Sequence, residues 1–286
     1  MALITVLLSL LIEHYLGTLE EFRRYRWFTE FTDRVRAALP ERLADSPLAV
    51  ALVLGLPTLV VLVLAAALAE TWLVLGLGFG LLVLLYSFGP QDLEARVEAW
   101  LEARERDDEE SARWHVAEIL GADMPEDPQQ IARTVMETAL VEMHERLLAV
   151  VFWFVAFGPA GALLYRLAAL LRNRTRNDDS AFAEWAARVH YALGWIPARL
   201  TALGYAAAGS FVDALQYWRE EAGKWRDVNR GVLIAAGLGA LQYGAVESAG
   251  KEAELDDMRA TIALLRRTLV VWVAALAVIT LAGWTS

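Results

Sequence analysis

The chain has 286 residues, of which 57% are hydrophobic and 22% are charged, and its formal net charge is −10. This apolar content is too high for an ordinary soluble domain, while the charged fraction is too high for a chain buried wholly in lipid. The negative charge excludes sequence-independent binding to nucleic acid, which requires a basic surface. The lack of cysteine excludes disulfides, thiolate metal sites and cysteine nucleophiles. We therefore expect a protein that is partly embedded in a membrane and partly aqueous.

Residues 1–88 predict an N-terminal helix, a basic amphipathic loop and a transmembrane hairpin. The opening stretch MALITVLLSLLIEHYLG has no Lys or Arg before its apolar run and no small-residue cleavage site, so we expect a retained helix. Leu48–Ala69 is long enough to cross a bilayer, and residues 72–88 return. The basic loop before this hairpin is cytoplasmic by the positive-inside rule. Its arginines are Arg23, Arg24, Arg26, Arg34, Arg36 and Arg42.

Residues 89–146 have the composition of a soluble, acidic helical domain. The spacing i, i+4, i+7, i+8 of an amphipathic helix is followed by Leu93, Val97, Trp100 and Leu101. Asp127 and Pro128 are typical of the N-cap and first position of a further helix. No helix breaker follows before Gly158, so this helix is expected to run from the aqueous domain into the membrane.

Residues 147–171 form a central membrane segment in which Gly158 and Pro159 predict a break. A single span would place two arginine clusters outside the cell, against the positive-inside rule. These clusters are Arg172, Arg174 and Arg176, and Arg266 and Arg267. A turn at Gly158 instead gives two arms of about a dozen apolar residues each, which suits a re-entrant hairpin. The alternative is a kinked span whose freed backbone groups are bound by neighbouring helices.

The rest of the chain predicts a helical membrane-associated domain over residues 172–266 and a C-terminal transmembrane helix over residues 267–286. Pro197 is expected to open a helix, and residues 227–250 are rich in Ala and Gly, which permit close helix packing. Gly250–Asp257 is expected to be a charged link. The predicted fold class is therefore an all-α, polytopic membrane protein with a helical cytoplasmic domain and a broken or re-entrant helix at Gly158-Pro159.

Two carboxylates near the membrane surface form the first candidate site. Glu142 and Glu145 are three residues apart, which places them on one face of a helix. Carboxylates in that position can hold Mg²⁺, which takes oxygen ligands and commonly bridges to a phosphate. The alternative is a solvated helix in which Glu142 pairs with Arg146 one turn later.

A second candidate site consists of polar groups in apolar surroundings. Arg166 lies in the apolar run ALLYRLAAL, where a charge is costly and usually faces a cavity or a partner, and Glu13 is a candidate partner. The alternative is that Arg166 snorkels to a nearby surface. Arg199 would lie in the first turn of a helix, where the helix dipole disfavours a cation unless an anion is near. Asn229 and Gly231 lie at another helix start, with Asp227 as a possible cap, and backbone amides there could bind an anion.

Four segments resemble known families in order along nearly the whole chain. They are LLIEHYLG, FWFVAFGPAGALLYRL, WIPARLTALGYA and NRGVLIAAGLGAL. They resemble the AmpE family of bacterial inner-membrane proteins and, more distantly, the CobD/CbiB amide synthases of cobalamin biosynthesis. The AmpE resemblance implies a multi-pass protein of the inner membrane that modulates β-lactamase induction during cell-wall recycling. It implies membrane lipid, the AmpD amidase or muropeptides as partners, and an ATP-binding role has been associated with the family.

The CobD/CbiB resemblance implies a different activity and a set of matching residues. Those synthases join an amine-bearing linker to a corrinoid carboxylate at the expense of ATP. The positions that match their motifs are Glu13, Glu145, Tyr165, Arg166, Arg199 and Asn229. The chain departs from the family in three places, with GTL for GDP after the first helix, LVE for AEN at residues 140–142, and LAALLRN for INTLDSM at residues 167–173.

Two functions follow as hypotheses, and whether the chain is an enzyme stays open between them. The first is a regulatory membrane protein of the AmpE type that binds an anionic ligand in a cytoplasm-facing cavity lined by Glu13, Arg166, Arg199 and Asn229. The alternative is a membrane-embedded amide synthase of the CobD/CbiB type that uses ATP, with Mg²⁺ on Glu142 and Glu145. A transporter would also suit a broken helix and a buried charge, but it calls for an inverted repeat that the sequence does not show.

Overall fold

The structure is a computed structural model that describes residues 2–16, 25–89, 93–121, 124–125, 127–244 and 251–283. Within these residues all regular elements are helices, as predicted for the all-α fold class. The α-helices are α1 (Ala2–Leu16), α2 (Arg26–Ala38), α3 (Glu41–Ala44), α4 (Pro47–Thr71), α5 (Leu73–Ser87), α6 (Leu93–Glu105), α7 (Glu109–Leu120), α8 (Pro128–Met143), α9 (Ala149–Arg174), α10 (Ala181–Ala208), α11 (Phe211–Glu221), α12 (Val228–Ala240) and α13 (Lys251–Leu281). A π-helical turn, His144–Leu148, joins α8 to α9, and a 3₁₀ turn, Ala222–Lys224, follows α11.

The chain forms two compact units. The first unit contains Met1–Pro90, Glu145–Trp195 and Leu276–Ser286, and the second unit contains Gln91–His144 and Ile196–Ala275. Each unit is described by itself below. The finer division into five segments stays a prediction.

Three helical stretches among the described residues are long and apolar enough to cross a membrane. They are Pro47–Glu70, Gln130–Arg174 and Lys251–Leu281. The first stretch, Pro47–Glu70, agrees with the predicted span. Helix α5 then runs back, with Trp72 as the single residue between α4 and α5. A helix of 25 residues is about 37 Å long, which exceeds the hydrocarbon thickness of about 30 Å. These helices fit a polytopic membrane protein.

The predicted break in the central segment is confirmed. Within α9, Phe157 and Gly158 leave the helical conformation, and Gly158 has φ 65° and ψ −155°, a region open essentially only to glycine. A Cβ added at Gly161 would lie 2.3 Å from the carbonyl oxygen of Trp153. Residues eight apart in a straight helix are separated by about 12 Å along the axis. The chain therefore turns back on itself, and the two arms of α9 meet just after the turn.

Both outer ends of this hairpin lie beside the same end of the α4–α5 pair. At the start of the first arm, the Arg146 carbonyl accepts a hydrogen bond from the backbone N–H of Gly89, directly after α5 (3.3 Å). At the end of the second arm, Arg174 donates to Asp33 on α2 (2.6 Å). Helix α2 itself contacts the last turn of α5, because the indole N–H of Trp27 donates to the hydroxyl of Tyr86.

The turn of the hairpin lies beside the middle of α5. A Cβ added at Gly80 would be 3.6 Å from the Phe154 ring and 3.7 Å from Pro159. The hairpin thus begins and ends at one end of the α4–α5 pair and reaches about half its length, which is the arrangement that a re-entrant hairpin requires. The candidate span Gln130–Arg174 is accordingly two arms rather than one straight rod.

Two sequence predictions about helix ends are wrong. Pro197 does not open a helix but lies inside α10, four residues after Leu193. A proline has no N–H to give to the carbonyl four residues before it. The indole N–H of Trp153 donates to that carbonyl of Leu193 instead (3.0 Å), so the helix continues through the proline with its backbone acceptor satisfied. Helix α13 begins at Lys251, so the charged residues expected to form a link are helical.

The second unit has its core around α12, whose small residues allow the close packing that was predicted. Nearly all of α12 is buried. A Cβ at Gly237 would lie 2.5 Å from the methyl groups of Leu140 on α8, and one at Gly239 would lie 2.6 Å from the carbonyl oxygen of Asp213 on α11. On α10, the hydroxyl of Tyr205 donates to the Leu140 carbonyl (2.6 Å).

Cysteine labelling tests the hairpin topology, because the chain has no cysteine of its own. We expect cysteines introduced at Asn177, after α9, and at Glu41, before α4, to react with an impermeant maleimide from the same side of the membrane. A cysteine at Glu70, at the tip of α4, should react from the opposite side. If the cysteines at positions 177 and 70 reacted from the same side, the result would contradict the hairpin and favour a membrane span.

Substitutions of glycine test the turn energetically. Gly158→Ala should destabilise the protein by about 1–3 kcal/mol because of its φ and ψ alone, since nothing lies within 4 Å of the added Cβ. Gly161→Ala should also destabilise, through its contact with the Trp153 carbonyl. Gly78→Ala on α5 is the matched control, with open space around it and ordinary helical geometry, and should be neutral or stabilising. Thermal unfolding in detergent measures all three, and equal effects at positions 78 and 158 would contradict a strained turn.

Candidate functional site

An ion pair in the first unit joins the N-terminal helix to the π-helical turn. Arg146 donates to Glu13 Oε1 at 2.9 Å, and both side chains are less than one-fifth exposed. The predicted pairing of Glu13 with Arg166 is therefore not seen in the structure, while the alternative pairing of Glu142 with Arg146 stays a prediction. Arg146 lies in the π-helical turn, whose extra residue per turn changes the face on which its side chain lies.

Arg166 lies on the second arm of α9 and is only 7% exposed. Its guanidinium carbon is 5.6 Å from the centre of the Tyr25 ring, which is the geometry of a cation–π contact. Its Nε has no hydrogen-bond partner in the structure, and Arg166 forms an ion pair with none of the described residues. Burial excludes the alternative in which the side chain snorkels to a surface. A buried cation that pairs with no carboxylate of the described residues is costly and favours an anionic ligand.

Tyr165, the neighbour of Arg166, contacts a different helix. It is fully buried, and its ring centre is 5.7 Å from that of His190 on α10. Consecutive residues of a helix point in directions about 100° apart, so Tyr165 and Arg166 face different neighbours. Tyr165 is therefore placed as a packing and positioning residue beside the buried cation.

Glu145 is half-buried in the π-turn of the first unit. It forms no hydrogen bond or ion pair with any residue in the part of the chain that the structure describes. A carboxylate in this state retains all of its acceptor positions for a proton, a cation or a substrate. π-turns inside α-helices are frequent at functional sites, and the functional role of Glu145 stays a prediction.

In the second unit, Arg199 and Asn229 contact each other, and the cavity predicted from them stays a prediction. The guanidinium of Arg199 donates to Asn229 Oδ1 at 3.0 Å. Two predictions about the surroundings of these residues are nevertheless wrong. Arg199 lies well inside α10, away from the first turn of a helix. Asp227 caps α12, as predicted, and its carboxylate accepts hydrogen bonds from the backbone amides of Asn229 and Arg230, so these amides are not open to an external anion.

Glu142, also in the second unit, faces an arginine that the sequence analysis missed. Arg96 on α6 approaches it at 3.9 Å and donates to the Glu118 carbonyl at 2.9 Å. Arg96 is largely buried, with Nε and Nη2 lacking hydrogen-bond partners. The sequence did indicate that Arg96 is unusual. It is four residues before Trp100, so it lies within the apolar stripe of α6.

A Mg²⁺ site on Glu142 and Glu145 stays a prediction. Among the described residues no group of three or more His, Asp or Glu side chains could hold a metal ion. The residues present therefore do not supply a preformed metal centre by themselves. His144 is likewise held elsewhere, since its Nδ1 is 3.0 Å from the hydroxyl of Thr201 and both side chains are buried.

Comparison with known proteins points to one of the two resembled families. A family model described as "CobD/Cbib protein" matches residues 6–248. The cobalamin biosynthesis protein CobD of Stutzerimonas stutzeri is 35% identical over 165 residues, which are 56% of this chain and 54% of the relative. The protein of the same name from Chromobacterium violaceum is 36% identical over 163 residues, 55% of this chain and 52% of the relative. That of Dehalococcoides mccartyi is 28% identical over 163 residues, 54% of this chain and 53% of the relative.

The chain spans about half the length of the curated relatives it matches. No solved structure matches it. The comparisons support the CobD/CbiB resemblance and give no support to the AmpE assignment or to a role in β-lactamase induction. The predicted AmpD and muropeptide partners stay untested.

A double-mutant cycle on Glu13 and Arg146 tests the ion pair of the first unit. Glu13→Gln and Arg146→Gln should each destabilise the protein, and the coupling energy should be about 1–3 kcal/mol because both groups are mostly buried. The control pair is Glu184 and Arg188, 3.3 Å apart but about two-thirds exposed, for which about 0.5 kcal/mol or less is expected. Equal coupling in the two cycles would show that the first pair is no stronger than an exposed one.

Proposed function

The chain belongs to the CobD/CbiB family, and from this premise we propose that it is a membrane-embedded enzyme of cobalamin biosynthesis. Its reaction is the formation of an amide between an amine-bearing linker and a carboxylate of a corrinoid. The carboxyl carbon gains a bond to the linker nitrogen and loses one oxygen, while the ammonium group of the linker loses two of its three protons. The oxygen and the two protons are the elements of water, which the hydrolysis of ATP takes up.

The buried guanidinium of Arg166 is the observation that carries this proposal. This side chain carries a fixed positive charge, is buried, and pairs with no carboxylate of the described residues, so that beyond its contact with the Tyr25 ring a bound anion would stabilise it. A corrinoid carboxylate meets that requirement, as does a phosphate. A guanidinium binds either group through two parallel hydrogen bonds, which would also orient it.

Glu145 and the Glu13–Arg146 pair support the same site in the first unit. Glu145 retains its acceptor positions, so it is placed to remove a proton from the attacking amine. The ion pair fixes the π-turn on which Glu145 lies, and Glu13 and Arg146 therefore act as positioning residues. ATP would supply the driving force for the condensation, and we derive no step through Mg²⁺ because the described residues do not complete a metal site.

The proposal places the chain in the bacterial inner membrane as a multi-pass protein. Support comes from the three helical stretches long enough to cross a bilayer and from the arginines of α2 beside the start of α4. Catalysis would then take place near the cytoplasmic surface, where Arg146 and Glu145 lie at the open end of the re-entrant hairpin.

Ligand-dependent thermal stabilisation of the detergent-purified protein tests this function. A corrinoid carboxylic acid, ATP with Mg²⁺ and an anhydromuropeptide are added separately. At one hundred times its dissociation constant a ligand stabilises by about 2.7 kcal/mol, so the corrinoid should raise the melting temperature by about 5 °C or more. Arg166→Met should abolish this shift while the melting temperature without ligand rises, because a buried uncompensated charge has been removed.

The matched control is Arg188→Met, which removes an exposed arginine from α10 and should leave the corrinoid shift unchanged. A corrinoid shift that survives in Arg166→Met would exclude Arg166 as the anion site. Stabilisation by the muropeptide alone would overturn the proposed enzyme in favour of the AmpE-type regulator.

A further inference from the structure

An apolar groove runs along the first unit between α2, α4, α5 and the second arm of α9. Its volume is about 910 Å³, within the range of ligand pockets. Leu56–Val61 of α4 and Phe79–Tyr86 of α5 supply most of its surface, and Leu163 of α9 adds to it. Nearly all the atoms on this surface are carbon. The occupant of such a groove must therefore be hydrocarbon over most of its length.

The groove lies on the helix pair that composition places in the bilayer. Val60 and Leu82 are 58% and 66% exposed on this surface, so it is open at the side toward the surroundings of the two helices. Pro57 prevents a backbone hydrogen bond at the centre of α4 and lies in the groove wall. A groove open sideways at this depth is accessible to an acyl chain moving within the membrane.

One end of the groove carries polar atoms suited to the membrane interface. The indole N–H of Trp27 on α2 donates to the hydroxyl of Tyr86 at 2.6 Å, and both rings line the groove. Trp and Tyr prefer the level of lipid headgroups because each combines an apolar ring with a polar atom. This end of the groove is therefore the end nearest the headgroups.

Cationic side chains continue from that end along α2. Trp27, Phe31 and Arg34 follow the spacing i, i+4, i+7, so they lie on one stripe of the helix. Arg34 is 79% exposed, and its contact with Glu30 is an exposed pair that a phosphate can replace at little cost. Arg26, beside Trp27, is also exposed. A molecule that fills the groove thus meets a positive charge at the interface.

We propose that this groove binds one acyl chain of an anionic phospholipid, with the lipid phosphate at Arg34. The sequence of chemistries along the site is hydrocarbon, then an aromatic hydrogen-bonded pair, then a guanidinium. That order matches a phospholipid of the leaflet on which α2 lies. A helix from a second copy of the chain would also fill the apolar part of the groove. It would not account for the positive charge of Arg34, which lies past the Trp27–Tyr86 pair.

Native mass spectrometry of the full chain in detergent tests the site, with dioleoyl phosphatidylglycerol and dioleoyl phosphatidylcholine titrated separately after lipid removal. We expect one phosphatidylglycerol to bind with at least about fivefold higher affinity than phosphatidylcholine, the preference that one interfacial arginine supplies. Val60→Trp fills the groove at an exposed position and should weaken binding of both lipids about tenfold. Arg34→Gln should remove only the preference for phosphatidylglycerol.

Two control variants keep this outcome distinct from general lipid adhesion. Val63→Trp adds the same ring one turn later on α4, at a residue that is also 58% exposed but does not line the groove, and should bind as the unaltered chain does. Arg42→Gln removes an exposed arginine of α3 and should keep the preference. Equal weakening by both tryptophan variants, or a dimer that Val60→Trp dissociates, would overturn the proposal.

Discussion

The turn at Gly158 is the constraint on which the first unit depends. A helix that enters an apolar layer must satisfy its backbone groups within the chain, so it can reverse there only where a residue without Cβ adopts a conformation closed to other residues. Gly158 supplies that conformation, and Gly161 lets the returning arm approach the Trp153 carbonyl. Because of this reversal, Arg146 and Arg174, at opposite ends of α9, both lie at the same end of the α4–α5 pair. The basic outer ends of the hairpin therefore lie together, and its apolar turn lies beside the middle of α5.

The buried charged groups of the molecule are stabilised in two different ways. The Glu13–Arg146 pair is mutually neutralised and fixes the π-turn, as the Arg199–Asn229 hydrogen bond fixes the start of α12 in the second unit. Among the residues that the structure describes, Arg166 instead has the face of an aromatic ring, Tyr25, and no carboxylate to offset its charge. A fold selected for stability alone would replace it with an apolar side chain, so its presence is best explained by a ligand.

Much of the fold follows from sequence because lipid imposes strict lengths and permits few backbone conformations. The bounds of α4 and α5 and the break at Gly158 were predictable for that reason. The pairing of Arg146 was not, since a π-turn has no distinct residue pattern and moves every later side chain to another face. Arg166 was identified because a charge in an apolar run stands out. Arg96 was overlooked because it lies in a helix already rich in charge, where only its place on the apolar stripe distinguishes it.

The hydrogen bond from Trp153 to the Leu193 carbonyl couples Trp153 to Pro197, two residues that are distant in sequence. These two residues have no reason to vary independently. Pro197 leaves that carbonyl without its helical donor, and the indole N–H supplies one. If another amino acid replaced Pro197, its own N–H would compete for the same acceptor, and the indole would be left with a buried donor to satisfy. Conversely, losing the indole would leave the Leu193 carbonyl without a donor. Natural sequence variation should therefore keep both residues or exchange both together.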